Sequence, residues 1–144
     1  MTDITSANSV FTLTIPGIYS IPQTLVDYAA DSLFDFEPYE QVELQMGATG
    51  TLVGGIVFAQ KTQNVHLLAS SPSVKIFETW AATQTAQVQT FQASGTILTP
   101  SLGKSATMQN GFFKMYKPLP DAKKVFQPIT FQIVWGVITV QSTS

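Results

Sequence analysis

The residues of this chain that could do chemistry are few, and most of their spacings fail the chemistry they suggest. His66 is the only histidine, and there is no cysteine. A Ser-His-acid triad would have to use His66. That residue sits in the strand-like run Asn64-Val65-His66-Leu67-Leu68 rather than in a glycine elbow, so a structural or surface role is expected. One His and no Cys argue against a His- or Cys-based metal site. Gly103-Lys104-Ser105 matches the end of a P-loop, but the earlier glycine falls on Leu98. Gly47, Gly50, Gly54 and Gly55 lack the dinucleotide-binding spacing, and strand patterns follow them. They read as turn positions, with Gly54-Gly55 marking a bulge or a close backbone approach.

The charged residues form two sets. Asp27, Asp31 and Asp35 recur every four residues, and Glu37, Glu40 and Glu43 every three. Paired carboxylates can act as acid and base or hold Ca²⁺, but the EF-hand pattern is absent. A solvated acidic face is the plain reading. Alternatively, a ring of such carboxylates lining a channel would repel the phosphates of a passing nucleic acid. The second set, Lys114, Lys117, Lys123 and Lys124, surrounds a proline-rich turn. With no arginine there is no bidentate fork for phosphate or guanine, and the region shows little of the aromatic pattern that base stacking uses. An edge or subunit contact is the stronger reading. No acid, base, nucleophile and metal set converges, so neither an enzyme nor a bound cofactor is expected.

Composition supports a contact-rich role. The chain has 144 residues, enough for one domain whose core needs no staple. Charged residues make up 11%, against about 25% in an ordinary soluble domain. Thr, Ser and Gln number 18, 12 and 13. A free monomer normally stays soluble through charge, so this surface suits a protein covered largely by copies of itself. Residues 1–60 carry seven carboxylates and no lysine, whereas residues 61–144 carry all seven lysines against Glu78 and Asp121. Such asymmetry fits either head-to-tail association or two halves that interleave in one domain. The longest apolar run, Val53–Ala59, is far short of the roughly 20 residues that span a bilayer. The start lacks the pattern of a signal peptide, so cytoplasmic synthesis without membrane insertion is expected.

Hydrophobic periodicity supplies the elements. Ser9–Ile15 alternates as a half-buried strand ended by Pro16-Gly17. Residues 16–40 read as a long loop or arm, with a possible helical turn after Pro22. Glu40–Met46, Thr51–Gln60, Asn64–Ser70, Gln89–Leu98, Ala106–Lys117 and Val125–Gln141 read as strands. One helix is expected over about 72–86, with Ser71 as N-cap and Pro72 at its first position. Lys75 and Glu78 would form an exposed pair on it. Phe11, Phe77, Trp80, Phe131 and Trp135 are the candidate core anchors. From Ile133 onward both strand faces are apolar, which suggests burial on both sides. The expectation is an all-β sandwich or barrel with one flanking helix, in a single domain over 1–144.

Several fragments, in order, are similar to the inner tail-tube proteins of contractile-tailed (myovirus-type) bacteriophages. They are Ser9-Val10-Phe11-Thr12-Leu13-Thr14-Ile15-Pro16-Gly17, Pro22-Gln23, Ala29-Ala30-Asp31, Met46-Gly47 with Gly54-Gly55, and Ser71-Pro72-Ser73 before Trp80. Gly111-Phe112, Ala122-Lys123-Lys124 and Gln127-Pro128 follow. The resemblance runs over residues 6–141. It implies a β-sandwich with a flanking helix, six copies per ring, and rings stacked into a hollow tube through which the genome leaves. The implied partners are other copies of the chain, the tail sheath, baseplate and tail terminator, with tape-measure protein and phage DNA passing through the lumen without sequence-specific binding. The implied location is the virion. On this reading Asp27, Asp31, Asp35, Glu37, Glu40 and Glu43 belong to an inter-ring arm or the lumen, and Lys114, Lys117, Lys123 and Lys124 form an acceptor. Another self-assembling tail part, such as a terminator or completion ring, and a non-catalytic binding sandwich are the alternatives.

Overall fold

The computed structural model describes residues 9–26 and 34–142. Its elements are β1 (Val10–Ile15), β2 (Tyr19–Thr24), β3 (Phe34–Phe36), β4 (Val42–Met46), β5 (Leu52–Ile56), β6 (Lys61–Leu67), α1 (Val74–Gln87), β7 (Ala93–Thr99), β8 (Lys104–Met115) and β9 (Ile129–Ser142). A 3₁₀ turn at Pro100–Leu102 joins β7 to β8. Among the described residues the fold is mainly β with a single α-helix. Among the described residues, no helix is long and apolar enough to cross a membrane.

Seven strands form one antiparallel sheet in the order β2-β1-β7-β8-β9-β6-β3, and β4 pairs with β5 in a separate hairpin. In a flat sheet the five spacings from β1 to β3 would measure about 24 Å. Instead the rings of Phe11 on β1 and Phe34 on β3 meet edge to face at 5.9 Å. The sheet therefore curls until β1 and β3 face each other across the core, while β2 and β3 remain its open edges. One device of that curl is a bulge in β8: Ala93 faces Gly111 while Gly95 faces Met108, so β8 carries one residue more than β7 there. Asn110, with φ 55, lies in that bulge.

Alternation buries one face of each strand. Phe11, Leu13 and Ile15 of β1, Val65 and Leu67 of β6, and Phe131, Ile133 and Trp135 of β9 point inward. Helix α1 adds Val74, Ile76, Phe77 and Trp80. Phe77 stacks on Phe131 with centroids 4.6 Å apart, and Trp80 on Phe113 at 5.1 Å. Phe11, Phe77, Trp80, Phe131 and Trp135 are all fully buried. The polar ends of both tryptophans are satisfied: Trp80 Nε1 donates to the Phe91 carbonyl at 3.0 Å, and Trp135 Nε1 to Gln63 Oε1 at 2.9 Å.

Four expectations change. The segment 16–40 is not one loop. Tyr19–Thr24 folds back on β1 as a hairpin strand and Phe34–Phe36 pairs with β6. Pro22 is tolerated inside β2 because this strand lies at the sheet edge, where no further partner needs its missing N–H. The helix starts at Val74, and Ser73 rather than Ser71 is its N-cap, without a side-chain cap bond. Both serine hydroxyls are used elsewhere: Ser71 Oγ donates to the Val26 carbonyl at 2.6 Å, and the Val26 N–H donates to Ser73 Oγ at 2.9 Å. The pair clamps the chain after β2 onto the helix start. Gly54-Gly55 makes no bulge, since β4 and β5 stay in register from Val42–Ile56 to Met46–Leu52. Finally, the apolar end of β9 is not covered within the chain, where Val137 and Val140 are exposed.

Candidate assembly surfaces

The β4–β5 hairpin projects from the body of the fold. Its strands pack on each other and on no other element to a comparable extent. Register pairs Val42 with Ile56, Leu44 with Gly54, and Met46 with Leu52. With a period of two, these residues share one face, which is wholly apolar. Glu43, Gln45, Val53 and Gly55 form the other. Every residue of both strands is exposed; Ile56 is 82% exposed and Phe58, just beyond it, 97%. Gly54 lets the ribbon close, because a Cβ there would lie 3.0 Å from Val42 Cγ1. The tip is ordered by the Gly47 N–H donating to the Thr51 carbonyl at 2.8 Å, with Gly50 at φ +87.

The hairpin's base is held firmly. The Val57 N–H donates to the Gln41 carbonyl and the Glu37 N–H to the Thr62 carbonyl, both at 2.9 Å. Lys61 Nζ donates to the carbonyls of Ala59 at 3.2 Å and Gly136 at 3.3 Å, and sits 4.9 Å from the Tyr39 ring centroid. The structure thus splits the acidic set. Asp27 and Asp31 lie outside the described residues. Glu37 and Glu40 are exposed at the hairpin base, and Glu43 is exposed on its polar face.

Asp35 belongs to a different arrangement. Asn64 Nδ2 donates to its Oδ1 at 2.9 Å, and His66 Nε2 lies 2.7 Å from its Oδ2. The Asn64 amide, and then the His66 ring, hold this carboxyl below the usual aspartate pKa. A carboxylate only accepts, so His66 Nε2 carries the proton, and the other ring nitrogen, Nδ1, lies 2.9 Å from the Thr130 hydroxyl. The order acid, imidazole, hydroxyl resembles that of a hydrolase triad. Here it lies across three adjacent strands of an open sheet face, and it pins the edge strand β3 to β6 and β9.

The lysines frame a compact loop after β8. Lys117 pairs with Asp121 at 3.1 Å, the Gln127 N–H donates to the Asp121 carbonyl at 3.0 Å, and Ala122 bridges Phe126. Lys114, Lys123 and Lys124 are exposed and form no ion pair among the described residues. Lys75 and Glu78 likewise form none.

A further surface was not anticipated. Thr24, Thr12, Thr96, Thr107 and Thr139 stand opposite one another in register across β2, β1, β7, β8 and β9. Thr14, Ser94, Ser105, Gln109 and Gln141 extend the same outward face, with Lys104 and Lys114 exposed toward the two ends of β8. Each of these five strands carries a threonine, and only the register aligns them into a row. Among the described residues, no group of three His, Asp or Glu is placed to hold a metal ion.

No curated protein matches the chain. Among solved structures, a chain of the anti-feeding prophage baseplate, from a six-fold symmetrised cryo-EM structure, is 11% identical with a TM-score of 0.59, covering 100% of this chain and 99% of that one. A chain of the anti-feeding prophage tube-terminating cap is 9% identical with a TM-score of 0.60, covering 99% of this chain and 93% of that one. At these identities the likeness is one of fold. The family model described as tail fiber protein gp32 matches residues 2–139. It points to the phage tail, as the sequence resemblance does, without singling out the inner tube. Matched over nearly its whole length, this chain belongs to the tail fiber protein gp32 family of phage tail proteins.

Proposed function

We propose that this protein is a non-enzymatic structural subunit of a phage tail that binds copies of itself into stacked rings around a bore. One observation carries the reading: the projecting β4–β5 hairpin with its exposed apolar face. A lone two-stranded hairpin is marginal in water, and contiguous exposed apolar surface marks a contact site. A firmly held base and a bare apolar face are what an intersubunit arm requires. Arm and docking site are different patches, so the contact is heterologous; it closes into rings or propagates as a filament.

Other observations support the same reading. The low charge count suits a surface that is mostly interface. The fold neighbours come from a six-fold symmetrised baseplate and a tube-terminating cap, which favours six copies per ring. The threonine face is the wall we assign to the bore: it is largely uncharged, and the bulk of helix α1 lies on the opposite side of the sheet, where a ring offers more arc. We prefer it to a lumen lined by the described carboxylates, since Asp35 is bonded to Asn64 and His66 and Glu37, Glu40 and Glu43 sit at the arm. The genome would pass a largely neutral hydroxyl surface. The subunit would be made without a cofactor in the host cytoplasm, reside in the virion, and abut sheath, baseplate and terminator proteins.

Size-exclusion chromatography with negative-stain imaging of the purified chain tests the reading. Rings stacked into hollow tubes are expected. A stable monomer at high concentration overturns it. Isolated rings that never stack favour a second reading, a ring that ends a tube, which the likeness to the tube-terminating cap supports.

A further inference from the structure

We infer that the loop 115–126 after β8 is the docking site for the β4–β5 hairpin of a second copy of this chain. The inference rests on the self-assembly reading and names the surface it uses. Outside the hairpin, exposed apolar side chains gather there: Leu119 is 75% exposed, Val125 72% and Phe126 63%, with Met115 and Tyr116 beside them. Lys117–Asp121 and the Ala122–Phe126 bridge fix the loop's shape, so docking pays little ordering entropy. Tyr116 also borders a groove of about 400 Å³ floored by Ala81, Ala82 and Ala86 of α1. Small side chains there let a flat ribbon lie close.

Charge selects the same pairing. Glu37, Glu40 and Glu43 form no ion pair among the described residues, and neither do Lys114, Lys123 and Lys124. Each surface therefore joins bare apolar residues to unpaired charge, acidic on the hairpin and mainly basic on the loop, whose groove Glu78 also lines. Complementary charge steers encounter and sets register, while apolar burial supplies the affinity. Both surfaces stay exposed within one chain, so they meet only between copies. The threonine face, by contrast, is mostly hydroxyl and amide, and its Val10 and Leu98 are only partly exposed.

The absence of cysteine makes the test clean. Leu44→Cys is placed in one batch of chain and Phe126→Cys in a second batch of different tag length, and the two are co-assembled and oxidised. A mixed-length disulfide dimer is expected, with little same-length product. Assemblies that form without the mixed dimer overturn the docking site while leaving self-assembly intact. Failure of the unsubstituted chain to assemble overturns the self-assembly reading itself. A charge swap provides an independent arm: Glu43→Lys should cut assembled protein about tenfold, and adding Lys123→Glu and Lys124→Glu should restore it. Circular dichroism checks that each variant is folded. A triple variant no better than Glu43→Lys alone counts against the site.

Discussion

The indole of Trp135 fills the space that a Cβ on Gly111 would occupy. The two residues are register partners on β9 and β8, and both are buried. Glycine at 111 is thus a condition for placing Trp135, whose N–H then reaches the buried Gln63. Gly111→Ala forces the ring or the strand to shift. Overpacking of this kind costs about 1–3 kcal/mol, and each kcal/mol lowers the melting temperature by about 2–4 °C in a chain near this size. Thermal unfolding measures it. An unchanged melting temperature would show that the ring has room to move.

The clasp of Asp35, Asn64 and His66 predicts a pH dependence. The carboxyl's folded pKa is depressed, so its contribution is fully present above the unfolded value, about 3.9. It is lost as pH falls through the lower folded value. Asp35→Asn should flatten the acid limb of the stability–pH curve and speed amide exchange in β3. Urea melts between pH 2.5 and 6 test this. Equal acid slopes in both proteins would remove the clasp as a source.

Breaking the arm should separate assembly from folding. Ile56→Asp and Leu44→Asp place carboxylates on the exposed apolar face of the hairpin. Exposed substitutions usually change stability by less than about 0.5 kcal/mol, so the melting temperature of the subunit should hold while rings and tubes disappear from negative-stain fields. Tubes of normal length from the double variant would exclude the hairpin as the arm.

The threonine face yields an accessibility prediction. Thr96→Cys supplies the chain's sole thiol, midway along the row. In assembled tubes a small maleimide should react, whereas a maleimide on a polymer too wide for the bore should not; in the monomer both should. Reaction with both reagents in tubes would put this face on the outside. Reaction with neither would put it in a subunit contact.

Local patterning determined much of this protein. Period-two alternation located β1 and β9, the 3.6-residue spacing of Val74, Phe77 and Trp80 located the helix, and the charge count pointed to contact rather than catalysis. These are properties of neighbouring residues, and neighbours determine which face of an element is apolar. Edge strands such as β2 and β3 were hidden because Pro22 and a three-residue length erase the local signal, and pairing with β1 and β6 supplies it instead. The threonine row, the joining of Asp35 to His66 and Thr130, and the curl that brings Phe11 to Phe34 all depend on strand register. Only the tertiary structure sets register, because it is the packing of one buried face against another that makes a slip of one residue costly. Tertiary packing likewise decided that β4 and β5, strands by sequence like any other, are the pair left without a body to cover them.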